Sequence, residues 1–293
     1  MTTDERPARL DVGVVGTGRV GAVLGAALAR AGHRVVAGYG VSVTSRHRAH
    51  SLLADVPLVA VADVFERAGL VLLTVPDEVL PDLVSGLATT GTVRTGQLLA
   101  HTSGRYGIGV LNPATRAGAL PLALHPAMAF TGTDVDLERL SGAVFGVTAP
   151  EQLWPVAEAL VVEMGSEPVR IAEEHRALYH AALEHGANHL VTLVADALDL
   201  LRQAGVDQPD KVLAPLLGAA LDNALRSGDG ALTGPVARGD AGTVASHVGE
   251  IGRAAPEAVA TYVRLARRTA ERALASGRLK ATDAEPLLDA LSP

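Results

Sequence analysis

The chain has 293 residues, 48% of them apolar, no cysteine, and a formal charge of −7 from 25 basic and 32 acidic side chains. This length and composition are typical of a globular protein with about two domains. Without cysteine, disulfides, thiolate metal ligands and a cysteine nucleophile are excluded. The acidic balance and the lack of a basic cluster argue against nucleic-acid binding. We therefore expect a protein that acts on a small molecule and holds no metal.

The first ten residues contain acids and a proline instead of a basic stretch followed by an apolar core. This pattern predicts no secretory signal and a cytoplasmic location. No apolar run reaches the roughly 18 residues that a membrane span requires, so we expect no membrane span.

Apolar runs alternate with helical segments over the first half of the chain, in a βαβ rhythm. The runs are continuous, as in parallel strands that helices cover on both faces. We predict an α/β domain over residues 1–150, built on a doubly wound Rossmann sheet. Its predicted strands are Leu10–Val15, Arg34–Gly38, Leu58–Val61, Leu70–Val75, Gln97–His101, Leu120–His125 and Ala143–Thr148.

The pattern changes to a helical period after about Pro150, which predicts an all-helical domain over residues 151–293. A single helix as long as Glu173–Ala204 needs packing along most of its length, so we expect it to lie in an interface. The predicted helices are Gln152–Met164, Glu173–Ala204, Lys211–Gly228, Ala241–Arg253 and Pro256–Ser276.

A glycine motif, G-x-G-x-x-G, follows the first predicted strand and opens a helix. In this context the glycines permit a tight turn, close approach of a pyrophosphate and close helix packing, while the helix N-terminus attracts phosphate. The alternative is a tight βα turn with no ligand. We assign six residues of this loop to a dinucleotide: Gly16, Thr17, Gly18, Arg19, Val20 and Gly21.

The end of the second predicted strand lacks the acidic residue that usually binds the ribose hydroxyls of NAD. Ser42, Ser45 and Arg46 stand there instead, and they suit a 2′-phosphate. NADP is therefore favoured over NAD. The alternative is that Arg46 and Arg48 are solvated residues at the start of a helix.

Polar residues follow later strands at the sheet edge where α/β proteins bind ligands. We assign Ser103 and His125 to catalysis, although a single histidine at a strand end is more often structural. The remaining polar strand ends are assigned to the cofactor: Thr74, Val75, Pro76, His101 and Thr102.

The long predicted helix places His180, Glu184 and Asn188 four residues apart on one face. We assign His180 to proton donation and Asn188 to substrate binding. His185 and His189 also have metal-ligand spacing, but the stretch lacks the glutamate of H-E-x-x-H, so a metal site is disfavoured.

Two charged residues, Arg238 and Asp240, lie in a predicted loop between helices. We assign both to substrate binding, with Arg238 holding a carboxylate. The alternative is that this pair caps a helix.

Six motifs in order resemble bacterial Rossmann-like proteins that carry the C-terminal domain of unknown function 2520, a branch of the 6-phosphogluconate-dehydrogenase-like superfamily. The resemblance implies a Rossmann domain, an all-helical dimerisation domain and NAD(P) binding, but no settled substrate. The motifs are GTGRVG (Gly16–Gly21), TVPD (Thr74–Asp77), HTSG (His101–Gly104), LHPAMAF (Leu124–Phe130), YHAA (Tyr179–Ala182) with Asn188, and TGPVARGD (Thr233–Asp240).

More distant resemblances suggest chemistries. LHPAMAF looks like a stretch of prephenate dehydrogenases whose histidine works at the substrate, which favours His125. The layout is also similar to pyrroline-5-carboxylate, ketopantoate and deazaflavin-dependent NADP reductases. Hydroxyacid dehydrogenases of the superfamily use a lysine four residues before an asparagine, but Glu184 precedes Asn188 here, and the chain's two lysines, Lys211 and Lys280, are distant in sequence.

These observations favour NADPH-dependent reduction of a small carboxylated 2-oxo acid, ketopantoate-like, or of an imine. In this hypothesis His125 or His180 gives the proton. One alternative is a non-catalytic NADP(H)-binding sensor or scaffold, which the missing lysine favours. Another is a deazaflavin-dependent NADP reductase.

Overall fold

The structure is a computed structural model that describes residues 9–292. The prediction of no secretory signal rests on residues 1–10, of which 1–8 lie outside the described part. The chain forms two compact units, the first ending at His185 and the second beginning at Gly186.

A mostly parallel sheet organises the first unit, as predicted, with its strands in the order β2-β1-β3-β4-β5-β6-β7. Neighbouring strands are parallel except β5 and β6, which are antiparallel. The carboxyl ends of β1 to β5 therefore share one edge. The strands are β1 Asp11–Val15, β2 Arg34–Tyr39, β3 Leu70–Leu73, β4 Leu98–His101, β5 Leu120–Pro126, β6 Val144–Thr148 and β7 Glu167–Arg170.

Helices cover both faces of this sheet. Val12 and Val14 belong to one buried core and Val15 to another, because successive side chains of a strand point to opposite faces. Leu24 fills the first core and Phe65 the second, so the sheet is doubly wound. The helices of this unit are α1 Arg19–Arg30, α2 Val43–Leu52, α3 Val61–Arg67, α4 Leu80–Thr89, α5 Asn112–Arg116, α6 Val135–Leu140 and α7 Trp154–Glu163.

The structure departs from the sequence-based prediction at two segments of this unit. Leu58–Val61 is not a strand: Leu58 forms one isolated bridge with Gly38, and α3 begins at Val61. Conversely, β7 pairs with β6 although its sequence, EPVR, is polar and contains proline, as an exposed edge strand tolerates. The first unit consequently extends past residue 150, since α7 and β7 pack on the sheet.

The second unit is helical, as predicted. Helix α8, Arg176–Gln203, begins in the first unit and continues into the second. A small core forms where α10 to α13 meet, with Val244 and Leu287 buried in it. No helix within residues 9–292 is long and apolar enough to cross a membrane. The further helices are α9 Pro209–Ser227, α10 Gly234–Arg238, α11 Ala241–Ala254, α12 Val259–Ala275 and α13 Ala281–Ala290.

Candidate functional site

The glycine loop is a tight turn between β1 and α1. Gly16 has a φ of +104°, a conformation that side chains disfavour. Its N–H and that of Thr17 donate to the carbonyl of Tyr39, at 2.8 and 3.0 Å. A Cβ on Gly21 would collide with the Gly16 carbonyl and with Thr74 Oγ1. Gly16 and Gly21 are thus required by the turn itself.

Gly18 is different, because nothing in the protein explains the lack of a side chain there. It is the N-cap of α1, with φ −71° and ψ −161°, and a Cβ would meet no atom within 4 Å. Intrahelical donation starts with the Ala22 N–H, which donates to the Gly18 carbonyl at 3.2 Å. The N–H groups of Arg19, Val20 and Gly21 therefore have no acceptor within the helix. With no acid in the first turn, this helix start is open to an anion.

The loop after β2 is joined to the glycine loop through Thr17, whose buried hydroxyl donates to the carbonyl of Ser45 at 3.1 Å. Ser42 caps α2 by accepting from the Ser45 N–H at 3.0 Å, and the Ser45 hydroxyl donates to the Ser42 carbonyl. Both hydroxyls therefore take part in the helix start. Arg46 is exposed and donates to the Val41 carbonyl, which leaves guanidinium N–H groups facing solvent.

The residues after β3 and β4 stand at the same edge. The hydroxyl of Thr74 donates to the Gly16 carbonyl at 2.6 Å, so this side chain holds the glycine loop in place. Thr102 donates its N–H to the Leu73 carbonyl. Val75 and Pro76 follow Thr74 directly.

The side chain of His101 is fully buried and both its ring nitrogens have partners. Nε2 lies 2.8 Å from the Gly107 carbonyl, to which it donates, and Nδ1 accepts from the Ser103 N–H. Burial lowers the pKa of His101 from 6.5 to about 4, so the imidazole is neutral. The side chain thus shapes the loop after β4 and offers no ring nitrogen to a ligand. The assignment of His101 to the cofactor stays a prediction.

His125, near the end of β5, faces two aromatic residues of α8. Its Nδ1 lies 2.9 Å from Tyr179 Oη, and its ring meets those of Tyr179 and His180 edge to face, at centroid distances of 5.5 and 6.0 Å. Gly104 permits this approach: a Cβ there would lie 2.8 Å from His125 Nε2 and 2.6 Å from His180 Cδ2. His180 also lies 3.8 Å from Glu184.

The imidazole of His125 is held neutral. Burial above all, then the positive charge of Arg176 and electrostatic interactions with His180 and His101, lower the pKa of His125 from 6.5 to about 4. An unperturbed imidazole titrates near pH 6.5. The structure instead supplies a neutral ring with one N–H and one acceptor nitrogen.

Arg176 is a buried cation at the start of α8, with 1% of its surface exposed. Its guanidinium donates to the carbonyls of Tyr106, Gly146 and Ser103, at 2.9, 2.9 and 2.6 Å. Its hydrogen-bond partners are uncharged carbonyls, while the negative charges of Glu173 and Asp77 favour its protonated form. Burial lowers the pKa of Arg176, and the charge acts on the groups around it.

Ser103 is nearly buried beside this cation. Its carbonyl accepts from Arg176, and its Oγ accepts from the Tyr106 N–H at 3.2 Å. A hydroxyl that accepts one hydrogen bond still has a proton to donate. The position of Ser103 is compatible with the hydrogen-bonding role predicted for it.

Three predicted substrate residues lie in the second unit. Asp240 caps α11, since its two carboxylate oxygens accept from the N–H and hydroxyl of Thr243, at 3.0 and 2.8 Å. These hydrogen bonds lower the pKa of Asp240. Of the two alternatives for this carboxylate, the geometry favours capping. Arg238 is the exposed last residue of α10, and Asn188 is exposed on α8.

Sequence reasoning missed Arg176 and Tyr179 as site residues. Together with His180 they occupy positions i, i+3 and i+4 of α8, so the three share one helix face. That spacing was the available signal. Within residues 9–292, no group of three or more histidine and acidic side chains is placed to hold a metal ion.

The sheet order and the glycine loop define a Rossmann-type α/β protein. Residues 1–126 match the model of a Rossmann-like domain, and residues 143–269 match the domain of unknown function 2520. The chain carries both domains, which confirms the resemblance seen in its motifs. No curated protein sequence matches it.

Solved structures share this fold over nearly their whole length. One is a candidate NADP oxidoreductase from Bacteroides fragilis, 21% identical, with a TM-score of 0.76 over 90% of this chain and 98% of that one. An imine reductase from Pseudomonas sp. is 18% identical, with a TM-score of 0.65 over 97% and 100%. An imine reductase from Myxococcus stipitatus in complex with NADP+ is 15% identical, with a TM-score of 0.65 over 95% and 98%.

Proposed function

We propose that the protein is an NAD(P)-dependent oxidoreductase that reduces a C=N or C=O bond of a small molecule. One observation carries this proposal: a glycine loop open to a pyrophosphate and the neutral histidine His125 stand on the same edge of one sheet. A dinucleotide reductase needs both a place for the cofactor and a group that manages the proton.

The residues of the loop fit a dinucleotide. The N–H groups at the start of α1 would bind the pyrophosphate, and Gly18 leaves the space that its approach requires. We propose NADP rather than NAD, since the loop after β2 offers Arg46 and no carboxylate up to Asp55. The similar imine reductase solved with NADP+ supports this choice.

The chemistry divides between cofactor and protein. When bound, a reduced nicotinamide supplies the hydride. His125 would hold a proton at Nε2 beside Gly104, and Ser103 would donate a hydrogen bond to the reacting oxygen or nitrogen. The similar imine reductases support C=N as the reduced bond, and a ketopantoate-like 2-oxo acid is the other acceptor. His180 stays the alternative proposed proton donor, and Asn188 and Arg238 stay proposed substrate contacts.

Replacing Gly18 by alanine tests the cofactor site. The backbone conformation suits alanine and the added Cβ meets no protein atom, so the melting temperature should stay unchanged. The Cβ would stand where the pyrophosphate must approach, and NADPH affinity should fall by about tenfold or more, about 1.4 kcal/mol. Fluorescence titration with NADPH and NADH measures this, and Gly86→Ala in α4, also without a neighbour within 4 Å, is the matched control.

A panel of cyclic imines and 2-oxo acids, with ketopantoate included, then tests the reaction by NADPH oxidation. Tight NADPH binding with no turnover on any acceptor would favour the sensor or scaffold. Turnover with a deazaflavin alone would favour the deazaflavin-dependent reductase. Equal NADPH affinity in the wild type and Gly18→Ala would contradict the assigned cofactor loop.

We also propose that the protein is a homodimer through its helical part. Helix α9 exposes leucines along most of its length, with Leu221 53% and Leu225 80% exposed. On α8, Val191 is 69% exposed. Helices with so much apolar surface in water are marginal without a partner. We propose a second copy of the chain as the partner that covers this apolar surface, since most oligomers of one chain are closed and symmetric.

The oligomeric state tests this interface. Sedimentation should give about twice the chain mass of 30.0 kDa for the wild type, and the double variant Leu221→Glu, Leu225→Glu should shift to the monomer because two charges replace buried apolar contacts. Val162→Glu, at an exposed valine of α7 in the other unit, should remain dimeric. A wild type that sediments as a monomer at all concentrations would rule out the dimer.

A further inference from the structure

The side chain of Tyr179 links the neutral imidazole of His125 to a buried cation. Its Oη lies 2.9 Å from His125 Nδ1, and Arg176 Cζ lies 5.6 Å from the centre of its ring. Gly146 makes room for the phenol, because a Cβ there would lie 2.5 Å from the Tyr179 Oη. The phenol of α8 is thus packed against Gly146 of β6 and beside His125 of β5.

The protonation states decide the direction of the Tyr179–His125 hydrogen bond. His125 is neutral, with its pKa lowered to about 4, while burial raises the pKa of Tyr179 against the opposing effects of Arg176 and a backbone hydrogen bond from Gly146. A protonated phenol has a proton to donate, and Nδ1 of the neutral imidazole, 2.9 Å away, is an acceptor for it. The ring proton of His125 then sits on Nε2, which faces Gly104.

We propose that Tyr179 is a positioning residue that fixes His125 in the Nε2–H form. The hydroxyl of Tyr179 also supplies, through the imidazole of His125, the proton that the reduction consumes. This inference rests on the proposed function for its kinetic part. The assignment of the tautomer rests on the contact between Tyr179 Oη and His125 Nδ1 and on the neutral state of both groups, not on the proposed reaction.

The reduction adds one hydride and one proton to the C=N or C=O bond. The incoming hydride forms a C–H bond, and the π electron pair of C=N or C=O moves to nitrogen or oxygen. That atom takes the proton from His125 Nε2, and Nδ1 takes the proton of Tyr179 Oη. The resulting phenolate faces the Arg176 guanidinium. It takes its proton back from Nδ1 when Nε2 takes one from solvent, so each turnover consumes one solvent proton and restores the Nε2–H form.

The kcat of the wild type should not change with pH between about pH 6 and about pH 9. The charged and titratable groups around His125 are Arg176, Tyr179 and His180 on α8, and His101 on β4. Between about pH 6 and about pH 9, His125 stays neutral and Tyr179 stays protonated. Without the phenol, the proton must come from imidazolium, whose population rises about tenfold for each pH unit towards acid.

Tyr179→Phe tests the proposal because it keeps the ring and removes the hydroxyl. The ratio of kcat in the variant to kcat in the wild type, measured on one acceptor, should rise about tenfold per pH unit towards acid, with KM little changed. NMR of the full-length protein with 15N-labelled histidine should show His125 as Nε2–H in the wild type and as a mixture of tautomers in the variant. His125→Gln identifies its signals.

The chain provides a matched control in its second unit. His247 Nδ1 lies 2.9 Å from Tyr262 Oη, with the rings edge to face at 6.0 Å. Tyr262→Phe should alter the signals of His247 and leave the pH profile of turnover unchanged.

The outcomes separate the inference from the proposed function. His125 in the Nδ1–H form, or a Tyr179→Phe variant with a flat ratio and an unchanged tautomer, would overturn the inference. The expected tautomer with no turnover on any acceptor would contradict the proposed function, while supporting the positioning of His125 by Tyr179.

Discussion

Replacing Arg176 by methionine should lower the free energy of unfolding by about 3 kcal/mol or more, as expected when a buried, hydrogen-bonded charge is removed. The stem would still fill its space, but the carbonyls of Ser103, Tyr106 and Gly146 would lose a charged donor. Each of these carbonyls belongs to a different backbone position near the site. Urea unfolding followed by circular dichroism measures the change as a lower midpoint at constant slope.

Two further variants show whether the loss of stability comes from the hydrogen bonds of this buried guanidinium. Arg176→Lys should recover part of the loss, because one ammonium cannot reproduce the planar fork that reaches three carbonyls. Arg34→Met removes an exposed arginine that pairs with Asp11, and it should leave the midpoint nearly unchanged. An Arg176→Met protein that unfolds at the wild-type midpoint would show that these hydrogen bonds contribute little.

His125→Ala should lower kcat by about two to four orders of magnitude, the range for removal of a group that transfers a proton. NADPH affinity should not change, since the cofactor loop is made by other residues. Because the pKa of His125 is about 4, wild-type kcat/KM should show no step near pH 6.5, where an ordinary histidine titrates. Protonation becomes appreciable only as the pH falls towards about 4.

His247→Ala is the control for this loss, because His247 has the same kind of tyrosine partner but lies in the second unit. It should retain turnover. Melting temperatures of both variants separate lost chemistry from lost folding. Full turnover in His125→Ala would remove this residue from the mechanism and leave His180 as the remaining predicted proton donor.

Local sequence patterns were sufficient for most of the sheet and for the tight turn of the glycine loop. The continuous apolar runs and the glycine motif each depend on neighbouring residues, so α1 and the strands β1 to β6 could be predicted from the sequence. The polar edge strand β7 could not. Leu58–Val61 was predicted wrongly as a strand because a short apolar run does not by itself distinguish a strand from an extended connection into a helix.

For the histidines, the sequence could predict only that they lie at one edge of the sheet. Spacing placed His101 and His125 at strand ends, but it could not show that His101 uses both ring nitrogens within its loop. Nor could it show that burial and Arg176 shift the pKa of His125. Both outcomes depend on contacts between segments far apart in the chain, which local patterns do not contain.

Arg176 is synthesised after all three of the carbonyl groups that it binds. Two of its three carbonyl partners, Ser103 and Tyr106, precede it by 73 and 70 residues, and the third by 30. A growing chain that has completed β5 therefore has His125 but neither the buried cation nor the phenol of Tyr179. The proposed proton path needs residues of α8 as well as His125. Any nascent or truncated chain that ends before this helix would carry a sheet without that path.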